Sequence, residues 1–210
     1  MTDMLNSFRF LLLALLTAAS LPAAPASAQD RAAEDRAAEV RALLEQRDRE
    51  IKALLGDRET FTDEQREKLK AVINDGIDFE AMGRKALGKY WADLTPEQRA
   101  EFVEVFSDIV RAHSLSDLDA YRSKVTYDAI TVEGDSAYVS TTTTHKDVTV
   151  KVDYVLGYHD GQWWVYDIIL DGVSTAEGYA RSFQALIRKK GFDTLMERLR
   201  ARREKMLATG

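Results

Sequence analysis

The strongest constraint on this chain is a double change in hydrophobic period. Apolar residues first recur at helical spacing, then alternate from Val125 to Val173, then return to helical spacing after Gly172. An order of helices, strands, helices predicts an α+β layer architecture. In the middle stretch Val148, Val150, Val152, Tyr154 and Leu156 alternate with Thr149, Lys151 and Asp153. That is the pattern of a half-buried antiparallel strand. Turn signals at Glu133-Gly134-Asp135, His145-Lys146-Asp147 and His159-Asp160-Gly161 divide the stretch into four strands of a meander. In the fourth, Trp164, Tyr166, Ile168 and Leu170 form the expected apolar face. Helices are expected to pack on one face of that sheet.

Local start signals place the helices. Ala33, Ala37, Val40, Leu44, Ile51 and Leu55 form a stripe in a first helix, which Arg47 and Asp48 interrupt. Thr62-x-x-Gln65 and Thr95-Pro96-Glu97-Gln98 are capping boxes, the second with proline at the first helical position. Asp78 caps a third helix carrying Phe79, Met82, Ala86 and Tyr90. Phe102, Val105, Phe106, Ile109, Val110 and His113 line the fourth. Ser174-x-x-Glu177 starts the next, with Tyr179, Phe183, Leu186 and Ile187 on one face and Gly191 as its stop. A last helix begins near Asp193.

The first 28 residues read as an export address. Phe10–Leu16 is apolar but too short to span a bilayer, which takes about 20 residues. Ala26-Ser27-Ala28 is a small-x-small cleavage site before the charged run at Gln29. Cleavage after Ala28 leaves residues 29–210 as a single exported domain. Arg9 is the one basic residue ahead of the apolar run, so an uncleaved anchor is the alternative.

Composition removes several kinds of chemistry. The chain has no cysteine, so disulfides, thiolate metal sites, a cysteine nucleophile and a lipidated cysteine are all excluded. The net charge of −6 argues against nucleic acid as a partner. Three histidines, His113, His145 and His159, fall in no metalloprotease spacing, and no nucleophile elbow or phosphate loop is present. No metal and no cofactor is expected. Asp167 lies inside an otherwise apolar strand, on the face assigned to Trp163, Val165 and Ile169. It is either hydrogen-bonded structurally or, with Asp153 or a histidine, part of a small hydrolase or isomerase site. The aromatic residues on inferred inward faces make either a closed core or the wall of an apolar ligand pocket. Periodicity does not separate the two.

Two blocks of residues point further. The first is Leu87-Gly88-Lys89-Tyr90-Trp91, then Leu94-Thr95-Pro96-Glu97-Gln98-Arg99, then Phe102 and Phe106. The second is Trp163-Trp164-Val165-Tyr166-Asp167, Asp171-Gly172-Val173-Ser174, Tyr179, Phe183 and Gly191-Phe192-Asp193, with Leu195 and Leu199. In order and spacing, from about Phe79 to Leu199, the chain resembles the MlaC (toluene-tolerance) family of periplasmic phospholipid-binding proteins. Many members read Asn-Tyr-Arg-x-x-Phe after Gly-Val-Ser. Here the run is Gly178-Tyr179-Ala180-Arg181-Ser182-Phe183, which moves the arginine by one position.

The resemblance implies a monomeric, non-enzymatic shuttle with a phospholipid cargo. Its partners would be an inner-membrane ABC transporter complex with a lipid-binding domain and an outer-membrane lipoprotein–porin complex. A hopanoid-associated branch resembles the same family, so another apolar lipid is an alternative cargo. An adaptor without cargo, docking through the charged first helix, is a further alternative. Exposing a tail of about 16 carbons costs on the order of 10 kcal/mol, at about 0.8 kcal/mol per methylene. Such a carrier needs an apolar pocket between sheet and helices. The inferred faces assign tail contacts to Phe79, Met82, Tyr90, Phe102, Phe106, Val150, Val152, Tyr154, Trp164, Tyr166, Ile168, Leu170, Tyr179 and Phe183. Arg181 is assigned to the pocket mouth.

Overall fold

Each expected helix start is found where its capping residues stand. A computed structural model describes residues 28–145 and 148–209. The expected export signal, residues 1–28, lies apart from Ala28 outside the described residues. The helices are α1 (Ala28–Leu55), α2 (Asp63–Asn74), α3 (Phe79–Leu87), α4 (Pro96–Ser114), α5 (Thr175–Lys190) and α6 (Phe192–Thr209). Thr62 and Thr95 each form the full reciprocal capping box with Gln65 and Gln98. Asp78 accepts from Ala81 N–H, and the Ser174 hydroxyl accepts from Glu177 N–H. Tyr90 falls outside α3, in a short 3-10 turn after Gly88.

The strands are β1 (Lys124–Glu133), β2 (Ser136–His145), β3 (Val148–His159), β4 (Gln162–Leu170) and β5 (Val173–Ser174). They form one antiparallel sheet in the order β1-β2-β3-β4-β5. The α+β meander is as expected, but it has five strands where four were expected. The fifth is two residues long and follows a tight turn at Asp171-Gly172, both with positive φ (47° and 79°). Asp160-Gly161, between β3 and β4, turns the same way with φ of 52° and 82°. Two left-handed residues in a row suit a two-residue hairpin because their twist matches the strands.

A bulge alters the faces of β4. Val155 pairs with Asp167 and Leu156 with Val165, which leaves Tyr166 as an extra residue on β4. Side chains directly opposite share a face, so Val165 and Asp167 point to opposite sides. The expectation that Asp167 shares the face of Trp163 and Val165 is therefore corrected. So is the continuous apolar face of Trp164, Tyr166, Ile168 and Leu170. The residues that pack together are Trp163 and Val165 before the bulge and Ile168 after it.

The apolar interior falls into three clusters. Helices α3 to α6 supply the first, around Phe102, Phe106, Met82, Phe183 and Leu195. The second joins Val40 of α1 to Ala137, Val139, Leu156, Trp163 and Val165 of the sheet. The third gathers Ile51 and Leu55 of α1, Leu69 of α2 and the partly buried Tyr121. Despite Arg47 and Asp48, α1 is firmly seated, with Val40 and Leu55 both fully buried. Arg36 fixes its near end, donating to Gly134 O at 2.6 Å while its guanidinium lies 4.5 Å from the Tyr158 ring centre. Arg47 itself pairs with Asp75 beyond the end of α2.

Asp167 ties the sheet to the helices. It is fully buried and accepts from Lys85 Nζ on α3 at 2.6 Å. It also accepts from Ser174 Oγ at 2.6 Å and from Ala176 N–H, in the first turn of α5, at 3.0 Å. Beside it, residues 76–78 add to β4: Val165 N–H donates to Gly76 O and Asp78 N–H donates to Val165 O, both at 2.8 Å. Removing the carboxylate leaves two buried donors without partners, at about 1–3 kcal/mol each. Asp167→Ala is therefore expected to lose about 3 kcal/mol in chemical denaturation. Wild-type stability in that variant would contradict the anchoring role.

Candidate functional site

Most of the sequence-assigned aromatic residues meet in the helical cluster. Phe102 and Phe106 stack with ring centres 5.4 Å apart, and Phe183 stands edge-on to them at 6.1 and 6.0 Å. Tyr179 meets Phe106 edge-on at 5.0 Å. Such pairs add about 0.5–1.5 kcal/mol beyond area burial. Gly83 lets α3 approach this stack, since a Cβ there would lie 2.9 Å from the Phe102 ring. Met82 is buried among them, and Tyr90 packs at the rim with Lys89 over its ring. Phe79 is buried beneath the Arg111 guanidinium, 4.5 Å from its ring centre.

The sheet residues divide. Tyr154 and Ile168 pack on the face covered by α1. Burial raises the Tyr154 phenol, and it pushes Tyr121 and Tyr127 nearby to about 12, so all three stay neutral. Val150 and Val152 are half-buried on the same strand. Leu170 is 49 % exposed and sits beside Val173, which is 58 % exposed. The bulge sends Trp164 and Tyr166 to other surroundings. Trp164 stacks on His159 at 5.7 Å, and Tyr166 lies over Gly157. Arg181 is exposed on α5.

Two grooves open beside β4. One, of about 620 Å³, is lined by Asp78, Glu80, Ala81, Arg84, Lys85, His159, Asp160 and Tyr166. The other, of about 430 Å³, is lined by Glu67, Lys70, Ala71, Asn74, Asp75, Gly76, Ile77, Arg111 and Trp164. The exposed lining of the first is mostly apolar, and that of the second is evenly divided between polar and apolar atoms. The second touches the helical cluster through Ile77, which packs on it, and lies beside α2 and β4. Asn74, Arg111 and Ile77 were missed in the sequence. Asn74 and Arg111 fall near helix ends and Ile77 in a loop, with no periodic signal to mark them.

The arrangement offers no catalytic pair on Asp167. Its oxygens are taken by Lys85, Ser174 and Ala176, and Asp153 is held instead by Tyr138 Oη at 2.6 Å and Ser140 Oγ at 2.9 Å. His113 sits against Arg202, and burial, then that cation, lowers its pKa. His159 bonds to Asp160 and Asp78, each at 3.0 Å. Among the described residues no group of His, Asp or Glu could hold a metal ion, and no helix is long and apolar enough to cross a membrane.

Comparison with known proteins settles the family. The family model described as MlaC protein matches residues 30–201. The chain belongs to the MlaC family. The match begins within α1, well before the Phe79 start of the sequence resemblance, so all three clusters lie inside it. The chain is similar to the intermembrane phospholipid transport system binding protein MlaC of Haemophilus influenzae. The two are 25 % identical over 130 residues, which is 59 % of this chain and 61 % of that relative's length. The chain thus matches less than two thirds of that relative. Its MlaC fold is shared with the phospholipid-binding protein from Ralstonia solanacearum, solved in complex with a phospholipid. That likeness has a TM-score of 0.67 at 22 % identity and covers 81 % of this chain and 97 % of the other.

His159 links the β3–β4 turn to the start of α3 in this MlaC-family chain. Its hydrogen bond to Asp160 and its contacts with Asp78 raise its pKa above 6.5. A raised folded-state value means the added stability is complete below about pH 6.5 and is lost as pH rises through the folded value. Wild type should therefore gain stability over His159→Gln as pH falls from 8 to 6, read as denaturation midpoints. A difference that does not change with pH would contradict the linkage.

Proposed function

We propose that this chain is an exported, periplasmic lipid carrier that moves phospholipid without chemical change. Family membership supports the reading most directly. A fold shared with a protein solved with a bound phospholipid supports it further. The physical argument is the divided interior. One packed core would have to be broken to admit a lipid tail. Three clusters meeting at a seam can part, and the tails then replace contacts between them. The proposed tail contacts are Phe79, Met82, Tyr90, Phe102, Phe106, Tyr179 and Phe183 on the helical side. On the sheet side they are Tyr154, Ile168, Val150 and Val152, with Trp164, Tyr166 and Leu170 toward the surface. Arg181, exposed on α5, would meet solvent or a partner at the rim.

Two complexes are the proposed partners, an inner-membrane ABC transporter bearing a lipid-binding domain and an outer-membrane lipoprotein–porin complex. Native mass spectrometry of protein purified from the periplasm tests the reading. The expected mass is the chain from Gln29 plus one diacyl phospholipid. Lipid-free protein would contradict the carrier reading, and a polycyclic triterpenoid mass would replace phospholipid as the cargo.

A further inference from the structure

The last two helices carry a charge opposite to that of the whole chain. Between Thr175 and Thr209, α5 and α6 hold nine basic and four acidic side chains, a balance of +5 in a chain of −6. Part of this positive charge is answered within the fold. Arg200 pairs with Glu101 of α4, Arg203 pairs with Glu104 and Asp108, and Arg202 sits against His113. Arg181, Arg188, Lys189, Lys190 and Arg198 are different. All five are exposed, and among the described residues none of them forms an ion pair.

These five gather on one corner of the molecule. Arg181 and Arg188 are seven residues apart on α5, hence on the same side of it. Lys189 and Lys190 complete its last turn, and the chain reverses into α6 at Gly191, where a Cβ would touch nothing within 4 Å. Arg202 lies close enough to Tyr179 of α5 to act on its phenol, and Arg198, one turn earlier, lies on the same side of α6. The C-terminal dipole of α5 equals about half a negative charge, which offsets little of three adjacent cations. Like charges left so close repel one another until an anionic partner lowers their energy.

The corner lacks what a protein partner would bury. Among the described residues the exposed large apolar side chains are Tyr138, Val148, Leu170 and Val173, all on the sheet. A stable protein interface centres on apolar and aromatic side chains, whereas a charged bilayer needs only long cations that reach its phosphates. We infer that the corner of α5 and α6 docks on the surface of a bilayer rich in anionic phospholipid. The contact is peripheral: ammonium and guanidinium groups meet phosphates of the headgroup layer, and no side chain enters the hydrocarbon. Phe183 and Ile187 of α5 stay turned into the helical cluster meanwhile. The inference goes beyond the carrier reading and does not rest on it.

The test is co-sedimentation of protein purified from the periplasm with two kinds of vesicle, phosphatidylcholine alone and equal parts of phosphatidylcholine and phosphatidylglycerol. Wild type should bind the anionic vesicles at about 0.01 M salt and leave them at about 1 M, where the screening length falls from about 30 Å to about 3 Å. It should not bind the neutral vesicles. Each basic side chain near an anionic surface is worth roughly fivefold in affinity. The triple variant Arg188→Gln, Lys189→Gln, Lys190→Gln should therefore bind about a hundredfold more weakly, and Arg198→Gln alone about fivefold. A charge-matched triple, Arg49→Gln, Arg66→Gln, Lys68→Gln, alters exposed positions of α1 and α2 and should bind like wild type. No binding to the anionic vesicles overturns the bilayer as partner and points to an acidic protein instead. Equal binding to neutral vesicles, or an equal loss in both triples, also overturns the proposal. Lipid carried by a chain that does not dock leaves the carrier reading intact, and docking by a chain that carries no lipid overturns the carrier reading alone.

Discussion

Asp167 is the point at which the sheet holds the helices. A single carboxylate binds Lys85 of α3, Ser174 of β5 and the first turn of α5. Next to it the backbone of residues 76–78 pairs with β4 and sets where α3 begins. The helical cluster is thereby joined to the sheet along one strand. Elsewhere the two are built from different residues, Phe102 and Phe106 on one side and Leu156 and Val165 on the other. The attachment lies at β4 and the short β5, and in the proposed carrier role the helical cluster and the sheet part around it. A carrier needs this freedom, because tails of about 16 carbons must be enclosed at a gain on the order of 10 kcal/mol each and later released.

The bulge in β4 makes that anchor possible. With a regular register, Asp167 would share the face of Val165 and sit buried in the α1 cluster without a cation. The extra residue at Tyr166 turns it toward Lys85 and α5. Trp164, next to Val165 and ahead of the bulge, lies on the opposite face, stacked on His159 beside the groove of Asn74 and Arg111. One inserted residue thus supplies the structural anchor.

What could be read from the sequence was whatever is local. Thr62, Asp78, Thr95 and Ser174 mark their helices because a cap is set by residues three apart. Asp160-Gly161 and Asp171-Gly172 mark their turns for the same reason. The α+β order follows from the change of period. A bulge leaves no trace in hydrophobic alternation, since register is decided by pairing between β3 and β4. The faces of Trp164, Tyr166 and Asp167 were misassigned for that reason, and a two-residue β5 is too short to show a period. The aromatic residues Phe79, Met82, Phe102, Phe106, Tyr179 and Phe183 were legible as an inward set because helical spacing gathers them. Their role toward a lipid is carried by the family and not by spacing.

The central claim is that lipid tails lie between the helical and sheet clusters. A phospholipid carrying a photoactivatable diazirine near the end of one acyl chain addresses it directly. After loading and illumination, the adducts should fall on residues of both clusters, such as Phe106 or Phe183 on the helical side and Tyr154 or Ile168 on the sheet side. Adducts confined to the exposed apolar residues Val148, Leu170 and Val173 would place the tail on the surface and contradict the account.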